Sequence, residues 1–313
     1  MFEKILVATD FSNYARKILD CVGEIPGAKE VVLLHVITRD PLARTWSPGD
    51  ECKDAMKMLE ADKKVLEDAG LKVKTIAECV EETSEYEIID RIAQKEDVSL
   101  VVMGARGRGL WEGLLLGSVS TGYLRHGSRD LLIMRYKTIG SADKGELAKF
   151  CSRIFEKVLC PTDFSDAGNA AIERIKAYKL AKNLILLNVV ARAENQAELD
   201  AELKASHDRL EAMKADLVSA GISVETVSLF GAAGEPRTYG TGGMARVKTT
   251  PFAAIGGVVE KVLSVAEDKD VSLIALGSHG KGWLDQATIG SVVSDVARMG
   301  ARPVLVIRSQ KKS

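Results

Sequence analysis

Cysteine is scarce in this chain, and its spacing leads nowhere. The five cysteines, Cys21, Cys52, Cys79, Cys151 and Cys160, form no CxxC pair. An odd number at irregular intervals indicates neither a disulfide framework nor a zinc site, and it suits a reducing cytoplasm. Long apolar runs are missing too. None approaches the roughly 20 residues that span a bilayer. The N-terminal stretch MFEKILVATD reads at once as a strand, without the basic end and apolar core of a secretion signal. Excess charge of one sign is also lacking, with 43 Lys and Arg against 44 Asp and Glu. Nucleic acid and anionic membrane are normally met by a basic surface, so neither is expected as a partner. What is present is ordinary core material: 46 % hydrophobic and 28 % charged residues, unlike a disordered chain. At about 150 residues per domain, a length of 313 favours two domains.

The sequence repeats itself. Residues 2–12 read FEKILVATDFS and residues 155–165 read FEKVLCPTDFS, an offset of 153. Asp97-Val98-Ser99-Leu100 recurs as Asp270-Val271-Ser272-Leu273, an offset of 173. Two homologous halves follow, the second with about twenty extra residues between these landmarks. The extra residues fall within Gly231–Gly257, a stretch rich in Gly, Thr and basic residues. The expected units are 1–138 and 153–313, joined by a short polar linker over 139–152.

Each half alternates apolar runs with helical periodicity. Ile5–Ala8, Val31–Val36, Val73–Ile76, Leu100–Met103 and Leu131–Met134 suit strands buried on both faces of a parallel sheet. Val158–Cys160, Leu184–Val190, Val224–Leu229, Leu273–Leu276 and Val304–Ile307 do the same in the second half. Between them Ala15, Ile18, Leu19 and Val22 mark one face of a helix with Ser12 as its N-cap. The predicted fold is α/β, two tandem open doubly wound sheets of five parallel strands.

The sharpest motif follows the fourth strand. Gly104-Ala105-Arg106-Gly107 precedes Gly117-Ser118-Val119 by nine residues, and Gly277-Ser278-His279-Gly280 precedes Gly290-Ser291-Val292 by the same nine. Glycine permits positive φ and lets backbone N–H groups approach a ligand closely. Ser118 is expected at or near a helix N-cap, where free N–H groups and the helix dipole favour an anion. A tight loop alone would also use glycine, but the matched duplication favours a phosphate cradle. Neither GxxxxGK[ST] nor GxGxxG is present. Thr9-Asp10 and Thr162-Asp163 fall just past each half's first strand, facing the same crevice if strands 1 and 4 are neighbours. Two roles are open to Asp10 and Asp163: capping the next helix, or taking ribose hydroxyls or a Mg²⁺ ion held with phosphates.

T-D-F-S after strand 1, L-L-H-V in strand 2 and G-x2-G-x9-G-S after strand 4 resemble the universal stress protein family, in its ATP-binding branch. The resemblance covers both halves except linker and insertion, and it implies strand order 3-2-1-4-5. It puts an adenine against Ala8 and Thr9, or Pro161 and Thr162, and the backbone of Val36 or Val189. Phosphates would fall to Met103, Gly104, Gly107, Gly117, Ser118 and Val119, and to Leu276, Gly277, Gly280, Gly290, Ser291 and Val292. Arg106 and His279 stand where phosphate charge would need neutralising. The implied ligand is ATP, ADP or AMP. The implied assembly is an intramolecular pseudo-dimer paired through the fifth strands, with a homodimer or a further protein partner left open. Glu78–Glu82, where relatives carry a glycine-bearing turn, and the insertion depart from the pattern.

His35 is matched by Asn188, which argues for a satisfied buried side chain over a catalytic one. Cys160 lies beside the implied adenine position and reads as packing. No general base or nucleophile is repeated beyond the aspartates, so a binding or signalling module is expected, at most a slow ATPase. A nucleotidyl transferase or ATP pyrophosphatase would show HxGH or SGGxDS, and neither occurs. A nucleotide-free interaction scaffold would not need glycines in both halves.

Overall fold

Apolar runs buried on two sides need layers on both faces of a sheet, and each half supplies them with helices. In this computed structural model residues 1–38, 48–81, 84–105, 116–139, 146–148, 153–231, 257–280 and 289–308 are described. The chain divides into two units, Met1–Ile154 and Phe155–Ser313.

The first unit runs β1 (Lys4–Ala8), α1 (Asn13–Val22), β2 (Glu30–Thr38), α2 (Pro48–Asp68), β3 (Lys72–Val80), α3 (Glu85–Lys95), β4 (Leu100–Gly104), α4 (Ser118–His126) and β5 (Asp130–Met134). Its strands lie in the order β3-β2-β1-β4-β5, every neighbouring pair parallel. Ile5, Leu6 and Val7 of β1 and Val101 and Val102 of β4 are at most 1 % exposed, as strands covered on both faces must be. Each such side chain contributes about 1.5–3 kcal/mol by leaving water. At the sheet edge, β3 (KVKTIAECV) runs longer than its apolar centre predicted, because its polar residues can face solvent. Ser12 caps α1 as expected, its hydroxyl accepting from Ala15 N at 3.0 Å.

After β5 the chain forms a small antiparallel pair, β6 (Lys137–Ile139) with β7 (Glu146–Ala148). The stretch expected as a plain linker therefore contains paired backbone. The second unit then repeats the pattern as β8 (Lys157–Pro161), α5 (Asp166–Tyr178), β9 (Asn183–Val190), α6 (Gln196–Ser219), β10 (Ser223–Phe230), α7 (Val258–Asp268), β11 (Leu273–Gly277), α8 (Ser291–Met299) and β12 (Val304–Ile307). Its order is β10-β9-β8-β11-β12, again all parallel. On α6, Leu203, Leu210 and Leu217 form the expected buried stripe. Nearly all of the expected insertion, 232–256, lies outside the described residues.

One expectation is overturned. Cys52, in the second turn of α2, and Cys79, near the end of β3, form a disulfide with Cα atoms 6.2 Å apart. Their separation of 27 residues carries no motif, so only the packing of α2 against β3 brings the sulfurs together. Cys21 and Cys160 are buried and take no part in that disulfide. No described helix is long and apolar enough to cross a membrane.

In both units the winding reverses at the first strand. β2 and β3 are laid to one side of β1, and β4 and β5 to the other. The loops leaving β1 and β4 part there, and the crevice between them is where ligands enter such sheets.

Candidate functional site

The first wall of the crevice is the turn leaving β1. Thr9 Oγ1 accepts a hydrogen bond from Phe11 N at 3.1 Å, and Asp10 Oδ1 accepts one from Ser12 N at 3.1 Å. These two bonds hold Phe11 at φ 60°, a left-handed conformation that a bulky side chain rarely adopts. The second half repeats it: Thr162 Oγ1 accepts from Phe164 N, Asp163 Oδ1 from Ser165 N, both at 3.0 Å, and Phe164 has φ 61°. Such a residue costs about 1–3 kcal/mol and persists where its surroundings hold it. The two readings of the aspartates coexist. One carboxylate oxygen stabilises the turn while the side chain lines the crevice.

The second wall is β2. His35 Nδ1 lies 2.6 Å from Thr9 O. A carbonyl oxygen can only accept, so Nδ1 carries the proton. Asn188 does the same work in the second half, donating from Nδ2 to Thr162 O at 2.8 Å. His35 is thus satisfied, as expected, but half-buried, with its ring 4.4 Å from that of Phe11 and facing the crevice.

The third wall is the glycine motif. Gly117 (φ −68°, ψ 159°) and Gly290 (φ −64°, ψ 147°) are themselves the N-caps of α4 and α8, and neither helix has a side-chain cap bond. Ser118 and Ser291 are the first helical residues, next to the N-cap, and both are exposed. The leading N–H groups of both helices are left for water or an anion. Positive φ is not what these two glycines supply. A Cβ on Gly290 would stand 3.3 Å from His279 Cα, and one on Gly280 would collide with Asp163 Oδ2. Gly277 lines the second crevice, yet what forbids a side chain there is the backbone of Ala167 in α5. Its glycine serves helix–strand packing first.

Each crevice encloses a cavity, about 320 Å³ in the first half and about 270 Å³ in the second. Ala8, Thr9, Asp10, Val36, Met103, Gly104, Gly117, Ser118 and Val119 all line the first. Pro161, Thr162, Asp163, Val189, Leu276, Gly277, His279, Gly280, Gly290, Ser291 and Val292 all line the second. Arg106 and Gly107 lie outside the described residues. Residues scattered across each half's sequence are therefore gathered around one space, twice.

The model of the universal stress protein family matches residues 1–135 and again 155–308. The chain belongs to that family. It is 25 % identical over 297 residues to a universal stress protein of Mycolicibacterium smegmatis, covering 89 % of this chain and 87 % of the other. A shorter universal stress protein of Methanocaldococcus jannaschii is 26 % identical over 182 residues, covering 50 % of this chain and 97 % of its own. The crystal structure of a universal stress protein from Archaeoglobus fulgidus superposes with a TM-score of 0.69 at 22 % identity, covering 99 % of this chain and 97 % of that one. That likeness bears on the fold.

In this universal stress protein the third-strand side of each cavity was missed by sequence reasoning. Glu85 and Ile89 of α3 line the first cavity, and Val258 and Val262 of α7 line the second. The signal was available, since the 173-residue offset pairs Glu85 with Val258 and Ile89 with Val262. Cys160 is packing, as expected: burial pushes its thiol up to about 12, far from a reactive thiolate. Among the described residues no group of three or more His, Cys, Asp or Glu could hold a metal ion.

Proposed function

We propose that each half of this chain binds an adenine nucleotide, ATP, ADP or AMP, and that the protein is a nucleotide-dependent stress-response module. The observation that carries this reading is the duplicated crevice, with an uncapped helix N-terminus facing a carboxylate across one cavity. Phosphate suits the N–H groups of α4 and α8. The cradle a Cβ would fill at Gly290 fits a group that must approach the backbone. Ribose hydroxyls suit Asp10 and Asp163, and the base suits the apolar ground at Val36 and Val189. A Mg²⁺ ion would rest on one carboxylate and the nucleotide's own phosphates.

Asp10 and Asp163 have no companion base or nucleophile repeated in both halves, so the module is at most a slow ATPase. Mass spectrometry of purified, denatured protein is expected to release ATP, ADP or AMP. The same protein incubated with ATP is expected to turn over below about 1 per second, under the ordinary enzyme range. Protein free of nucleotide that also takes up none would sink the reading. Fast turnover would favour an enzyme.

We also propose that the two halves pair as a pseudo-dimer through their fifth strands, β5 and β12. Apolar strands at the end of a five-stranded sheet are templates for another strand, and tandem domains offer a two-fold partner within one chain. Residues 1–154 expressed alone are then expected to dimerise in sedimentation experiments. A stable monomer at high concentration would refute the pairing.

A further inference from the structure

The two cavities are built on one plan, but the wall between the second strand and the following helix differs in polarity. In the first half Thr38, the last residue of β2, donates from Oγ1 to Glu85 Oε1 at 3.0 Å. Glu85 opens α3 and lines the cavity. Its other oxygen, Oε2, has no hydrogen-bond partner among the described residues. In the second half both members of the pair are apolar. The strand offset of 153 matches Thr38 with Ala191, the helix offset of 173 matches Glu85 with Val258, and Ala191 and Val258 both line the second cavity. Beside them, Ile89 and Val262 stay aliphatic, as do Val36 and Val189. Along this wall, between the second strand and the helix, the change from polar to apolar falls on that one hydrogen-bonded pair.

A carboxylate is an acceptor only. Oriented by Thr38 at the rim of an otherwise largely apolar wall, its second oxygen needs a donor, and a ligand edge that offers an acceptor or only C–H there leaves it unpaired. A site that hydrogen-bonds part of a ligand rejects the analogue lacking it far more strongly than an apolar pocket rejects a small change of shape. Val258 makes no such demand.

We infer that Glu85, positioned by Thr38, makes the first cavity selective for a purine that presents an amino group to the wall between β2 and α3, while the second cavity accepts purines without that discrimination. The inference rests on the nucleotide reading above and adds that the two sites are not equivalent.

The test compares ATP with purine riboside triphosphate, which lacks only the exocyclic amine, by calorimetry on the full chain. Gly290→Val leaves the first cavity alone in play, and Gly117→Val leaves the second. The first cavity is expected to prefer ATP by about tenfold or more, the scale of a hydrogen bond to a charged group, and the second by less than about threefold. Glu85→Val is expected to bring the first ratio down to the second while ATP still binds. Val258→Glu with Ala191→Thr is expected to raise the second. Equal ratios at the two sites, or a first ratio unmoved by Glu85→Val, overturn the inference and leave nucleotide binding standing. Failure of either cavity to bind any nucleotide overturns both.

Discussion

Replacing Gly117 and Gly290 together by valine is expected to weaken ATP binding by about 100-fold or more, roughly 2.7 kcal/mol, in a chain that still folds. Both glycines cap helices with φ near −65° and ψ near 150°, an extended conformation that valine adopts without backbone strain. The fold should therefore survive. At Gly290 the new Cβ would already be 3.3 Å from His279 Cα, with the valine methyl groups still to be placed around it. They would occupy the approach to the first N–H groups of α8, where hydrogen bonds to an anion contribute about 1.5–3 kcal/mol each. Calorimetry on the folded double variant measures this. Unchanged ATP affinity would show that the helix ends do not receive the phosphates.

Arg302→Ala is expected to destabilise the second half by about 2–3 kcal/mol, at or below the lower end of what breaking a buried ion pair costs. The Arg302 side chain is 4 % exposed and fully engaged. Its Nη1 donates to Asp270 Oδ1 at 2.8 Å and to Val271 O at 3.0 Å, and its Nη2 donates to Glu267 Oε2 at 2.9 Å. Burial works against the charged form, but the bonds to Glu267 and Asp270 outweigh it and raise the guanidinium further above its ordinary value. Both acids keep access to water, which holds the cost below that of stranding a fully buried charge. Arg129 is the counterpart in the first half, 31 % exposed and bonded to Asp97 at 3.2 Å. Arg129→Ala should cost under about 1 kcal/mol, as exposed pairs do. Urea denaturation of the two variants separates these outcomes. Equal losses would mean that burial does not set the worth of this pair.

The alternation of strands and helices and the place of the crevice were legible because they follow from local pattern, whereas the strand order and most of the cavity lining came from the family resemblance. Parallel strands buried on both faces read as apolar runs, and the duplicated G-x2-G-x9-G-S marks the crevice wherever the chain folds as α/β. What escaped is what depends on tertiary approach. Gly277 reads as part of a phosphate motif, whereas its missing side chain makes room for Ala167. Phe11 and Phe164 offer no hint in composition that their backbone turns left-handed, because the side chains of the Thr and Asp that precede them impose it. The Glu85 carboxylate sits at a helix start, where an acidic residue is expected for the helix dipole alone. Only the fold shows it facing a cavity.

The Cys52–Cys79 bond has a practical side. Dithiothreitol or a phosphine in the purification buffer would yield a covalently different protein from one prepared without it, and the difference falls on the first half alone. The second half, Phe155–Ser313, holds a single cysteine, Cys160, and Phe230 takes the sheet position that Cys79 holds in the first. Cys79 pairs in register with Ile37, one residue before Thr38, so the bond ties α2 to the strand edge beside the first cavity. Titrations run in two such buffers are not replicates of each other. Within each of them, the second cavity serves as the internal standard against which the first is judged.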